Sequence, residues 1–127
     1  MITIYRAKAG SVSTRQAIKF MEHYHIPFKL KDTTGIDKKD LRKILQLSNG
    51  FEDILVSKKK AKKVYLHVEE EVSLDDLSFN EMIKLIYQNP QLLRQPIIFD
   101  DHKLLVGYNS DDIRTFLPRS LRNDNTF

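Results

Sequence analysis

Two extended patterns split by a single helical one, followed much later by a closely paired set of extended patterns, constrain this chain more than any other feature. Ile2-Thr3-Ile4-Tyr5 is rich in β-branched and aromatic residues, and residues 28–31 alternate apolar with polar. Between them Ala17, Met21 and Tyr24 share a stripe at helical spacing, flanked by Ile18 and Phe20. Ser13 with Gln16 reads as a capping box opening that helix, and Pro27 closes the element. Near the other end, Pro96-Ile97-Ile98-Phe99 is a compact apolar strand, Asp100-Asp101-His102 a turn, and residues 103–108 a second strand. These two make a hairpin. Asn109 or Ser110 then caps a last helix, with Ile113, Phe116 and Leu117 facing inward and Pro118 ending it.

The middle of the chain reads as helical. Thr33-Thr34-Gly35 is a turn and Asp37 a cap, after which Leu41, Ile44, Leu45 and Leu47 form an apolar face. Ser48-Asn49-Gly50 ends that helix, with Gly50 suited to the left-handed conformation at a C-terminus. Phe51, Ile54 and Leu55 give one more short helix. Ser78 with Glu81 is a second capping box, opening a helix lined by Met82, Leu85 and Ile86 that stops near Asn89-Pro90. Strand–helix–strand first and hairpin–helix last is an α/β, thioredoxin-like layout with a mixed sheet. The expected division is a sheet-bearing part at residues 1–35 and 90–118, an inserted helical subdomain at about 36–89, and a polar tail at 119–127. All of it belongs to a single domain of 127 residues.

Composition removes several function classes. The chain has no cysteine. It therefore has no dithiol switch, no thiol nucleophile and no thiolate metal ligand of its own. The N-terminus lacks the charged start and apolar run of a secretory signal, and no apolar stretch approaches the roughly 18 residues of a membrane span. The expected location is cytoplasmic. The four histidines, His23, His25, His67 and His102, are scattered without metal-ligand spacing. No metal, cofactor or catalytic residue is expected. A net charge of +4 is compatible with an acidic protein surface or with nucleic acid.

Three places carry candidate chemistry. The start of the first helix, residues 8–15, offers unpaired backbone N–H groups beside Lys8, Ser11, Thr14 and Arg15, an arrangement suited to an anion. Capping by Ser13 accounts for the hydroxyl without any ligand. The run Lys58-Lys59-Lys60-Ala61-Lys62-Lys63 repels itself and calls for an acidic counterpart, either a partner or the nearby Glu69-Glu70-Glu71. Gly50 permits close approach of a partner backbone as readily as it stops a helix.

Specific strings narrow the reading. Ile2-Thr3-Ile4-Tyr5, His25-Ile26-Pro27-Phe28, Leu92-Leu93-Arg94-Gln95-Pro96-Ile97-Ile98, Val106-Gly107-Tyr108-Asn109 and Phe116-Leu117-Pro118-Arg119 resemble the Spx regulators, related in fold to glutaredoxin-type arsenate reductases. The likeness covers about residues 1–120. It implies a transcriptional regulator that binds the C-terminal domain of the RNA polymerase alpha subunit through Gly50 and a basic residue near Lys58, and the lysine run adds Lys59 and Lys60 to the expected partner-binding residues. It also implies a monomer when free, promoter DNA as a further contact within the polymerase complex, and a cis bond before Pro96.

The sequence departs from that family twice. The window of the family's CxxC redox switch holds Ser11-Val12-Ser13-Thr14, and Gln95 stands where the family has an arginine before the proline. Arg94 is kept, and with Gln95 and Pro96 is expected to face an anion or to serve structure. The expected activity is regulation without thiol switching. The alternatives are an arsenate-reductase-like enzyme, or a decoy that occupies the alpha domain against a redox-active paralogue.

Overall fold

The computed structural model describes residues 1–8, 10–56 and 78–118. Strands β1 (Ile2–Arg6), β2 (Phe28–Asp32), β3 (Ile97–Phe99) and β4 (Leu104–Val106) form one sheet in the order β2-β1-β3-β4. β1 runs parallel to β2, and helix α1 (Val12–His23) makes the crossover that a parallel pair requires. β3 is antiparallel to β1 and to β4, so the sheet is mixed and the late strands form the expected hairpin. Asp100 closes the hairpin turn by accepting from the His102 and Lys103 N–H groups, both at 2.8 Å.

The two central strands are buried on both faces. Ile2, Ile4 and Ile98 point to one side, where they pack with Ala17 and Met21 of α1 and with Ile113 and Phe116. Tyr5, Ile97 and Phe99 point to the other, where they pack with Ile36, Leu41, Ile44, Ile54, Met82, Ile86 and Leu92. Successive residues thus serve opposite cores, as the period of two along a strand dictates. The rings of Tyr5 and Phe99 stack at 6.2 Å. Each fully buried Ile or Leu contributes about 2 kcal/mol.

The helices on the Tyr5 face are α2 (Lys38–Leu47), α3 (Phe51–Ile54) and α4 (Phe79–Gln88). Asp37 caps α2 by accepting from the Lys39 N–H, and Ser78 and Glu81 form the expected capping box on α4. These helices share one core with the sheet. The closing helix is a 3₁₀ helix, Asp112–Phe116, whose start is held by Asn109 Oδ1 accepting from the Asp111 and Asp112 N–H groups.

Two local expectations are corrected. The cap of α1 is Ser11, not Ser13: the Ser11 hydroxyl accepts from the Thr14 N–H at 3.1 Å. The reason lies in Thr14, which is 2% exposed and whose own hydroxyl meets Ser11 Oγ at 2.9 Å, fixing the helix start two residues earlier. Gly50 does not stop α2 in the left-handed helical conformation. Ser48 is the C-cap, and Gly50 has φ 132° and ψ −176°, an extended region open to glycine alone, where it leads into α3.

Candidate functional site

The start of α1 faces the late strand across a cleft of about 520 Å³ lined by Ser11, Ser13, Val56, Arg94, Gln95 and Gly107 among others. The loop enters α1 through a turn in which the Gly10 N–H donates to Ala7 O at 2.9 Å. Gln95 then ties this loop to the strand. Its Oε1 accepts from the Ala7 N–H at 3.1 Å and from the Thr14 hydroxyl at 3.4 Å. The Ala7 N–H can only donate, so the orientation of the Gln95 amide is fixed by that bond. The Gln95–Pro96 peptide bond is cis.

The four window residues have different fates. Ser11 and Thr14 are spent on capping and on Gln95. Val12 is exposed, and Ser13 is half-buried with its side chain on the cleft. Among the described residues no histidine approaches this place: His23 sits at the far end of α1, His25 beyond it, and the His102 backbone belongs to the hairpin turn. Among the described residues no group of three His, Asp or Glu side chains is placed to hold a metal ion. No helix among them is long and apolar enough to cross a membrane.

Arg94 stands on the opposite wall. Its Nε donates to Leu55 O at 2.8 Å and its backbone N–H to Ile54 O at 2.8 Å, while the Val56 N–H donates to Leu92 O at 2.7 Å. Residues 54–56 are thereby stitched onto residues 92–94. The end of α3 is thus held against the segment that carries Gln95 and Pro96, and Gly50 sits one short helix away. A Cβ built on Gly50 meets nothing within 4 Å, so the position faces open space. Ser48 braces it, accepting from the Gly50 N–H at 3.1 Å. Lys58, Lys59 and Lys60, with Glu69-Glu70-Glu71, His67 and the tail from Arg119, lie outside the described residues.

Sequence reasoning missed one cluster. The Tyr5 hydroxyl donates to Asp40, and Lys31 reaches the same carboxylate at 2.9 Å while its ammonium lies 5.8 Å from the Tyr5 ring centroid. Burial, reinforced by the Asp40 carboxylate, raises the Tyr5 phenol above its ordinary range. Tyr5 and Asp40 are 35 residues apart, and no local pattern links them.

The ArsC family pattern matches residues 8–116. The chain is 36% identical over 125 residues to the global transcriptional regulator Spx 2 of Lactococcus lactis, covering 96% of this chain and 90% of that protein. A Staphylococcus aureus protein solved by NMR superposes with a TM-score of 0.69 at 19% identity, over 91% of this chain and 97% of that one. An arsenate reductase from Vibrio cholerae superposes with a TM-score of 0.64 at 14% identity, over 90% and 92%. At such identities the structural likeness speaks for the fold, which is thioredoxin-like and of the arsenate-reductase type. Taken with the near full-length match to an Spx protein, these findings make the chain a member of the ArsC family, on the branch of the Spx transcriptional regulators.

Proposed function

We propose that this protein is a transcriptional regulator of the Spx type that binds the C-terminal domain of the RNA polymerase alpha subunit and works without a thiol switch. The observation that carries the reading is the match over nearly the whole of both chains to proteins named as global transcriptional regulators, in a sequence with no cysteine. Gly50 supports a partner surface, since its backbone is open and takes a conformation that a side chain would strain. On this reading the inserted layer at 36–89 carries the partner-binding residues Gly50, Lys58, Lys59 and Lys60. The parts at 1–35 and 90–118 frame it.

The site where the family keeps its redox pair is proposed to be a fixed structural joint, with Arg94, Gln95 and Pro96 serving the fold. The residues at this site speak against an enzyme reading. Reductive attack on an oxyanion runs through a thiolate that forms and then resolves a covalent bond, and hydroxyls at Ser11, Ser13 and Thr14 do not substitute for it.

A calorimetric titration of the full chain with the isolated alpha domain tests the proposal. Saturable binding with the same affinity in dithiothreitol and in diamide is the expected result. Absence of binding, or binding in one redox condition only, overturns it.

A further inference from the structure

A second cleft, of about 350 Å³, runs between α2 and α4, away from the α1 loop. Phe79, Ile83 and Tyr87 give it an apolar lining, and Lys38, Arg42 and Lys84 line it as well. Among the described residues no carboxylate does.

The charge is built into α2. That helix carries Lys38, Lys39, Arg42 and Lys43 against one acid, Asp40. Asp40 is engaged elsewhere, by the Tyr5 hydroxyl and the Lys31 ammonium. Among the described residues Lys38, Arg42 and Lys84 therefore have no ion-pair partner. Lys38 and Lys39 moreover stand in the first turn, where the helix dipole disfavours cations. Asp37, which caps this turn, and Asp40 within it offset part of that cost.

The walls are preformed. The Tyr87 hydroxyl donates to Ile36 O, which pins α4 to the start of α2. Phe79 is 46% exposed, yet its ring lies 5.8 Å from that of Phe51. A braced, half-open aromatic beside an arginine has the composition of an interface anchor.

We propose that this cleft docks an acidic segment of a partner protein. The segment sets an apolar side chain against Phe79 and Ile83 and its carboxylates against Lys38, Arg42 and Lys84. Phe79 also offers a base a stacking face, but the aliphatic Ile83 beside it suits an apolar side chain and not a second base, and a single-stranded oligonucleotide is therefore the control in the test. A second copy of this chain is disfavoured, since a two-fold contact through this face sets like charges together. Neither Gly50 nor the lysine run enters this proposal, so it fails or succeeds apart from the function proposed above.

The test uses the full chain and a fluorescent synthetic peptide of Asp and Glu around a central Phe-Leu pair, followed by anisotropy and by amide NMR. Saturable binding with shifts confined to α2 and α4 is expected. Arg42→Glu with Lys84→Glu, and separately Phe79→Ser, are expected to weaken it at least about tenfold, with far-UV spectra unchanged. Should charge reversal unfold the chain, the milder Arg42→Gln is expected to weaken binding in the same direction. Equal binding of a control peptide with Lys for every acid, or of a single-stranded DNA oligonucleotide, overturns the proposal. So do shifts elsewhere, or a dimer in ultracentrifugation that Arg42→Glu dissociates. Much tighter peptide binding after Glu69→Gln, Glu70→Gln and Glu71→Gln assigns the cleft to the chain's own acid run and overturns it too.

Discussion

The side-chain oxygen of Gln95 meets the hydroxyl of Thr14 at 3.4 Å across 81 residues of sequence, and the same oxygen holds the Ala7 N–H. One acceptor thus fastens the loop before α1 and the first turn of α1 to the late strand. Gln95→Ala removes that acceptor and leaves the Ala7 N–H and the buried Thr14 hydroxyl without it. A loss of about 1–3 kcal/mol is expected in urea unfolding. Gln95→Glu keeps an acceptor at the same reach and is expected to retain most of the stability. Equal stability of Gln95→Ala and the parent would show that the joint contributes nothing.

Ser11 and Ser13 differ by two positions and in role. Ser11→Ala removes the cap of α1 and is expected to cost about 1 kcal/mol, whereas Ser13→Ala is expected to cost almost nothing. Thermal unfolding of the two variants side by side checks this, and a larger loss at Ser13 would return the cap to that residue.

Gly50 is open in space but restricted in backbone. Gly50→Ala meets no neighbour, yet φ 132° is a conformation that costs an alanine about 1–3 kcal/mol. The expected outcome is a folded protein with a lowered melting temperature, scored by calorimetry. An unchanged melting temperature would mean that the α2–α3 joint relaxes freely.

Tyr5 sets an alkaline limit. Its phenol is raised in the folded state, first by burial and then by Asp40, so the folded chain keeps a proton that the unfolded chain gives up. This stability is complete below the ordinary tyrosine value of about 10 and declines as pH rises beyond it. Lys31, whose ammonium is also held protonated by Asp40, acts in the same direction. Tyr5→Phe is expected to flatten the decline in stability above about pH 10, measured by urea unfolding across the alkaline range.

On the function proposed above, the lysine run serves partner binding and not the fold. Lys58→Glu with Lys59→Glu is expected to weaken capture by the alpha domain while leaving the melting temperature nearly unchanged. A pull-down in which both forms bind equally would remove these residues from the interface.

Much of this architecture is written locally. Asp37, the Ser78–Glu81 box and the Asp100 turn each act within about one turn of chain, so their signals sit in adjacent residues. Ser11 was missed because the pairing of Ser13 with Gln16 satisfies the same rule. What decides between them is the burial of Thr14 beneath Gln95, a contact 81 residues long. The Tyr5–Asp40 bond is equally non-local. The α2–α4 cleft did leave a trace: four cations against one acid on α2, and a phenylalanine opening α4 directly after its cap. Its meaning depends on Asp40 being occupied at the sheet, which only the fold reveals.

The sheet separates two cores that, among the described residues, share no side chain, with Phe99 in one and Phe116 in the other. That makes the protein its own two-channel reporter. A fluorine-labelled phenylalanine at position 99 senses whatever docks on the helical layer, and one at 116 senses events at α1. Events at the helical layer and at α1 can therefore be followed in a single spectrum, each on its own side of a sheet one layer thick.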